Sequence, residues 1–244
     1  MKELYLGTVT DSSLNELEEF AKWYNEKLGN YPVIVGGWAV YFYTHGLGSK
    51  DIDVVFLGSK TKHMTLFDYF RSHGYIERSR SFFDKEFVKL VKTNSRDVEI
   101  IVDAVSSNRI IIFDGKKARL PWNWAVKNSI QHKVGNSVIY LPTPELLFVY
   151  KLGAILGRND LLRTGFDVSY YRSKLWKDVY DVVSLSKLNL DKKGTIQFFN
   201  ESKLYLYKND IFQIIEDNLD DEIKLLLKFN SLDKLRSLLD EDVQ

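Results

Sequence analysis

The chain has 244 residues, 45% hydrophobic and 14% aromatic, which is enough apolar material for a substantial core in one or two domains. A formal net charge of +1 gives no bulk field for nucleic acid, so any RNA or DNA contact must come from a local basic patch. The lack of cysteine removes disulfides, cysteine-ligated zinc and thiol nucleophiles together, and the four histidines show no metal-ligand spacing.

No signal peptide follows Lys2-Glu3, and no apolar run approaches the roughly 20 residues that span a bilayer, so a cytoplasmic protein with no membrane partner is expected. The first predicted helix covers Ser13 to Leu28. Ser13 and Glu16 read as a capping box, Leu14, Leu17, Phe20, Ala21, Trp23, Tyr24 and Leu28 form an apolar stripe, and Gly29 is placed to end the helix.

The run YPVIVGGWAVYFYTHGLGSKDIDVVF, Tyr31 to Phe56, then reads as strand, glycine turn, short helix, loop and second strand. Residues two apart on a strand share a face, about 6.6–6.8 Å apart. Asp51 and Asp53 therefore project together while Ile52 and Val54 enter the core. Two carboxylates on one face repel unless a cation sits between them, and hard oxygen ligands suit Mg²⁺. The Gly36-Gly37 pair opens a helix whose free N–H groups and dipole favour a phosphate. A phosphate cradle beside a metal site suggests phosphoryl or nucleotidyl transfer.

Further along, Lys62 to His73 predicts a helix ending at Gly74, Phe87 to Lys92 alternates as a strand, and Asp97 to Val105 is another strand. Asp97, Glu99, Ile101 and Asp103 share one face of it. Asp97 fits an exposed acidic stripe. Arg109 to Phe113 and Lys117 to Leu120 flank Asp114-Gly115, a hairpin signal. Trp122 and Trp124 follow, with aromatics that could stack a base or simply pack in the core.

At Pro142-Thr143-Pro144 strand patterning gives way to helices, which sets a boundary between residues 1–141 and 142–244. Thr143 caps the next helix and Pro144 takes its first position. That helix is apolar all round except for Lys151 and Arg158, seven residues and about 10.5 Å apart on one face. A buried lysine needs a phosphate or carboxylate partner, unless its stem snorkels to the surface. Lys151, Arg158, Arg163, Arg172, Lys174 and Lys177 stand against Asp160 and Asp167 alone, a local basic patch. The following helix carries Lys177-Asp178-Val179-Tyr180-Asp181. Residues 191–244 read as amphipathic helices with an acidic tail at Asp240, Glu241 and Asp242.

Gly36-Gly37-Trp38 followed by Ser49-Lys50-Asp51-Ile52-Asp53 resembles the signature of the DNA polymerase β-type nucleotidyltransferase superfamily. Lys151, Arg158 and Lys177-Asp178-x-x-Asp181, with His45-Gly46 ahead of Ser49, look like its AbiEii branch, which includes toxins of abortive-infection and toxin–antitoxin systems. The Gly-Gly-Trp-Ala-Val wording is similar to lincosamide and aminoglycoside nucleotidyltransferases. The resemblance implies an α/β fold, a mixed-sheet catalytic domain followed by a helical C-terminal domain. It implies transfer of a nucleoside monophosphate from an NTP such as ATP to an acceptor hydroxyl, with release of pyrophosphate. Asp51, Asp53 and a third carboxylate would hold two Mg²⁺ ions (or Mn²⁺). Asp103, within its apolar run, is the first choice for that carboxylate and Glu99 the second. Gly36, Gly37, the Trp38 backbone, Ser49, Lys50 and Arg158 would contact the nucleotide, Lys151 the leaving pyrophosphate, and Asp178 would position Lys151 or the nucleotide. The implied acceptor is RNA such as a tRNA 3′ end, with an antitoxin protein as partner. A small antibiotic-like acceptor and a catalytically idle binding module are the alternatives.

Overall fold

A computed structural model of the chain describes residues 2–56, 60–79, 87–93, 98–113, 117–165 and 167–240. Asp97, the Asp114-Gly115 turn and the acidic residues Glu241 and Asp242 lie outside them. Two compact units form. One comprises residues 2–110 with 121–143, the other residues 111–120 with 144–244.

The strands are β1 (Val33–Val35), β2 (Asp51–Phe56), β3 (Ile76–Ser79), β4 (Phe87–Thr93), β5 (Glu99–Ser106), β6 (Ile110–Phe113), β7 (Ala118–Pro121), β8 (Ser129–Val134) and β9 (Ser137–Pro142). The first unit holds a seven-stranded sheet in the order β3-β4-β5-β2-β1-β9-β8. It is mixed: β2 runs parallel to β5 and β1 to β9, while the other neighbours are antiparallel. The α/β class with a mixed sheet and a helical C-terminal part is therefore what the chain adopts.

Helix α1 (Thr8–Leu28) buries Leu17, Phe20, Ala21 and Tyr24 on one stripe. Phe20 stacks on Phe70, centroids 5.0 Å apart, and Trp23 on Tyr69, 4.2 Å apart, both rings carried by α3 (Lys60–Ser72). Gly29 ends the helix in the left-handed region, its N–H bonded to Asn25 O at 3.1 Å. The expected capping box of Ser13 and Glu16 does not form. The helix starts five residues before Ser13, whose buried hydroxyl accepts the Trp38 indole N–H at 3.0 Å. Glu16 instead accepts from Tyr75 at 3.0 Å and from Lys92 at 2.5 Å. A Ser-x-x-Glu spacing satisfied by tertiary partners looks the same in sequence as one satisfied by a helix end.

Helix α2 (Gly36–Thr44) begins at the glycine pair itself, and α4 (Asn123–Lys127) precedes β8. In the second unit, α5 (Pro144–Arg163) is buried over most of its first three turns, as its sequence dictates. Leu120 meets Gly153 where a larger residue would overlap it, and Phe113 Cζ lies 3.2 Å from the place of a Cβ. Around α5 are α6 (Val168–Leu185), α7 (Lys192–Glu201), a 3-10 turn over Leu204–Tyr207, α8 (Lys208–Asn218), α9 (Asp221–Leu227) and α10 (Asp233–Ser237). Asp220 caps α9 through the Ile223 N–H and accepts the Trp176 indole at 2.9 Å. No helix of the described residues is long and apolar enough to cross a membrane.

Candidate active site

The turn from β1 into α2 shows why glycine stands at position 36. Its φ is +67°, a region L-residues avoid. A Cβ would also overlap the Asp53 carboxylate, whose Cγ lies 2.7 Å from that point. The carboxylate thus abuts the first turn of α2, where helix N–H groups lack intrahelical partners and the dipole favours negative charge. Gly37 is buried, and Trp38 is packed into the core with its indole on Ser13. The Trp38 indole is thus taken up in the core, which leaves the backbone as the part of this residue that a ligand could meet.

Strand β2 buries Ile52 and Val54 and turns Asp51 and Asp53 to the other face. Asp51 is only 5% exposed, and its N–H donates to the buried Ser49 hydroxyl at 3.2 Å. Lys50 is half-buried between them. In the parallel pairing of β2 with β5, Asp53 is the register partner of Asp103, while Asp51 faces Ile101. Neighbouring strands lie about 4.8 Å apart, so Asp53 and Asp103 are adjacent. Glu99 sits four residues, about 13 Å, down the strand and pairs with Arg78 at 2.6 Å. Of the two carboxylates considered for the third position, the structure sets Asp103 beside Asp53.

One residue escaped sequence reasoning. Lys89 on β4 is the register partner of Asp103, with its ammonium 3.7 Å from Asp103 Oδ1. Val35, Asp53, Asp103 and Lys89 thus form one row across four adjacent strands. The alternation of Phe87 to Lys92 places Lys89 opposite Val88 and Leu90, but nothing in the sequence gives its register against β5.

The donor set on this face is all carboxylate oxygen, which fits Mg²⁺ or Mn²⁺. Asp51, Asp53 and Asp103 are the residues whose oxygens would hold such an ion. Among the described residues no group of three or more His, Asp or Glu side chains already converges as a metal site.

Lys151, Arg158 and Asp178 occupy the helical unit, where they form a buried ion network. The Lys151 ammonium, on a residue 7% exposed, lies 2.8 Å from both Asp178 Oδ1 and Asp181 Oδ2. Arg158 Nε donates to the other Asp178 oxygen, and Lys177 donates to Asp181. Burial acts to lower the Lys151 pKa, but the two carboxylates outweigh it and raise the value. Burial acts to raise the Asp178 carboxyl, yet Arg158 and Lys151 hold it well below the usual range. At Lys177 burial, reinforced by Lys151, prevails over Asp181 and lowers the pKa. Lys151 therefore does not snorkel, and its partners are carboxylates. The basic patch divides accordingly: Lys151, Lys177 and Arg158 belong to the network, whereas Arg163 and Arg172 are exposed and Lys174 is half-buried.

No family model matches the chain, and no curated protein matches it. Among solved structures, it is similar to an antigenic nucleotidyltransferase-like protein from Paracoccidioides brasiliensis, at 15% identity and a TM-score of 0.49. The match covers 85% of this chain and 94% of that one.

Proposed function

We propose that the sheet-bearing unit transfers a nucleoside monophosphate from an NTP to an acceptor hydroxyl, releasing pyrophosphate. The observation that carries this is the register of Asp53 against Asp103, with Asp53 packed on the glycine turn that opens α2. That row puts helix N–H groups suited to phosphate next to two carboxylates suited to a divalent cation.

The acceptor oxygen attacks the α-phosphorus, its proton passes to Asp103, and the bond from the α-phosphorus to the bridging oxygen breaks. The pyrophosphate leaves with that electron pair. Asp51 and Asp53, with Asp103, would hold Mg²⁺ or Mn²⁺, which when bound would supply charge neutralisation on the phosphate oxygens. Gly36, Gly37 and Trp38 present backbone amides, and Ser49 and Lys50 flank the same carboxylates. In the helical unit Asp178 and Asp181 fix the Lys151 ammonium, which makes Asp178 a positioning residue for that lysine.

The acceptor is an RNA, such as a tRNA 3′ end, and the protein is a toxin-type enzyme with an antitoxin partner. This rests on the resemblance of the Lys151, Arg158 and Lys177-Asp178-x-x-Asp181 pattern. The test is incubation with each labelled NTP, Mg²⁺ and total RNA, beside a panel of hydroxylated small molecules. Label on RNA supports the proposal. Label only on a small molecule overturns the acceptor, and label nowhere overturns nucleotidyl transfer altogether.

A further inference from the structure

On the premise of the metal-dependent reaction above, we propose that Lys89 is a built-in counter-ion of Asp103 and tunes how tightly a divalent cation binds at the carboxylate row. Three facts place it. Its Cα is the register partner of Asp103, on the side of Asp103 away from Asp53 and the glycine turn. Its ammonium stands 3.7 Å from Asp103 Oδ1, an ion-pair distance too long for a strong hydrogen bond. Both side chains are largely shielded, Lys89 27% and Asp103 19% exposed, so water screens the pair only in part.

The position is held by the sheet rather than by the lysine's own flexibility. β4 is an inner strand paired on both sides, and the flanking Val88 and Leu90 are buried on the opposite face. Lys89 therefore has to emerge on the carboxylate face. Asp51 and Asp53 on β2 and Asp103 on the neighbouring β5 share that face, so Lys89 brings a positive charge to a cluster of carboxylates. An arriving cation competes with the ammonium for Asp103 and is repelled by it. A neighbouring charge typically moves a carboxylate equilibrium by one unit or more, so removing Lys89 should tighten cation binding about tenfold.

The experiment titrates Mn²⁺ alone into the full chain, following free Mn²⁺ by electron paramagnetic resonance. Wild type, Lys89→Met, Lys89→Arg and Asp53→Asn are compared, and melting temperatures are taken in EDTA. Lys89→Met is expected to bind Mn²⁺ about tenfold more tightly and to melt lower when metal-free, with the gap closing as Mn²⁺ is added. Lys89→Arg, which keeps the charge, should stay close to wild type. Mn²⁺ binding by Lys89→Met equal to or weaker than wild type, while Asp53→Asn abolishes binding, would overturn the role of Lys89 and leave the metal site standing. Binding that Asp53→Asn does not alter would overturn both.

Discussion

The Asp53 carboxylate fills the space that a side chain at Gly36 would need. This contact links the glycine turn to the carboxylate row, and it sets position 36 apart from a glycine of positive φ with open space around it. Gly29 has φ +59° with nothing within 4 Å of a Cβ. Gly29→Ala should therefore cost only the left-handed strain, about 1–2 kcal/mol. Gly36→Ala bears that strain and must also displace Asp53. Denaturant unfolding should show the larger loss for Gly36→Ala, with weaker Mn²⁺ binding in that variant alone. Equal losses with Mn²⁺ affinity retained would separate the turn from the site.

Asp51, Asp53 and Asp103 bring like charges together on one face of the sheet. Active-site groups of this kind commonly lower stability, and neutralising one recovers about 0.5–2 kcal/mol. Asp51→Asn is accordingly expected to melt above wild type in EDTA. Mg²⁺ with an unreactive NTP analogue should reverse the order, since wild type gains about 2.7 kcal/mol at a hundredfold excess over Kd. Equal responses of both proteins would mark Asp51 as an ordinary carboxylate.

The buried network of the helical unit should respond steeply to loss of one member. Lys151→Met leaves Asp178 and Asp181 short of a partner and is expected to cost about 3–5 kcal/mol. Arg163→Ala and Arg172→Ala, at exposed positions, should stay within about 0.5 kcal/mol of wild type. Urea midpoints measure both, and similar costs for the three would remove the distinction.

Acid should expose the same network. The folded chain keeps Asp178 ionised below the ordinary carboxyl pKa of about 3.9, where the unfolded chain takes up a proton. Its contribution is complete above that value and is lost as pH falls towards the lowered folded one. Wild type should lose stability more steeply than Asp178→Asn below about pH 4. Parallel pH profiles would show that the ion pairs of Asp178 contribute nothing.

What the sequence discloses follows from how local each feature is. Asp51 and Asp53 are legible because strand alternation alone puts them on one face, and the glycines because α2 must start beside them. Asp103 is visible through its apolar run, but its rank over Glu99 comes from the register of β2 against β5, which joins segments about fifty residues apart. Lys89 is hidden for the same reason. Lys177 and Asp181 lie one helical turn apart, whereas their link to Lys151 crosses from α6 to α5. Residues 121–143 are hard to read because β9 pairs in parallel with β1, far away in sequence, and β8 is a half-exposed edge.

The most direct measurement is the rate of labelled NMP transfer by Asp53→Asn and Asp103→Asn. Loss of one transition-state stabiliser typically costs about 10²–10³ in rate, and loss of a metal-binding carboxylate should cost at least as much. Both variants are expected to fall by that factor or more while retaining wild-type circular dichroism and melting in EDTA no lower than wild type. Transfer within a few-fold of wild type in either folded variant would contradict the assignment of the row as the site of reaction.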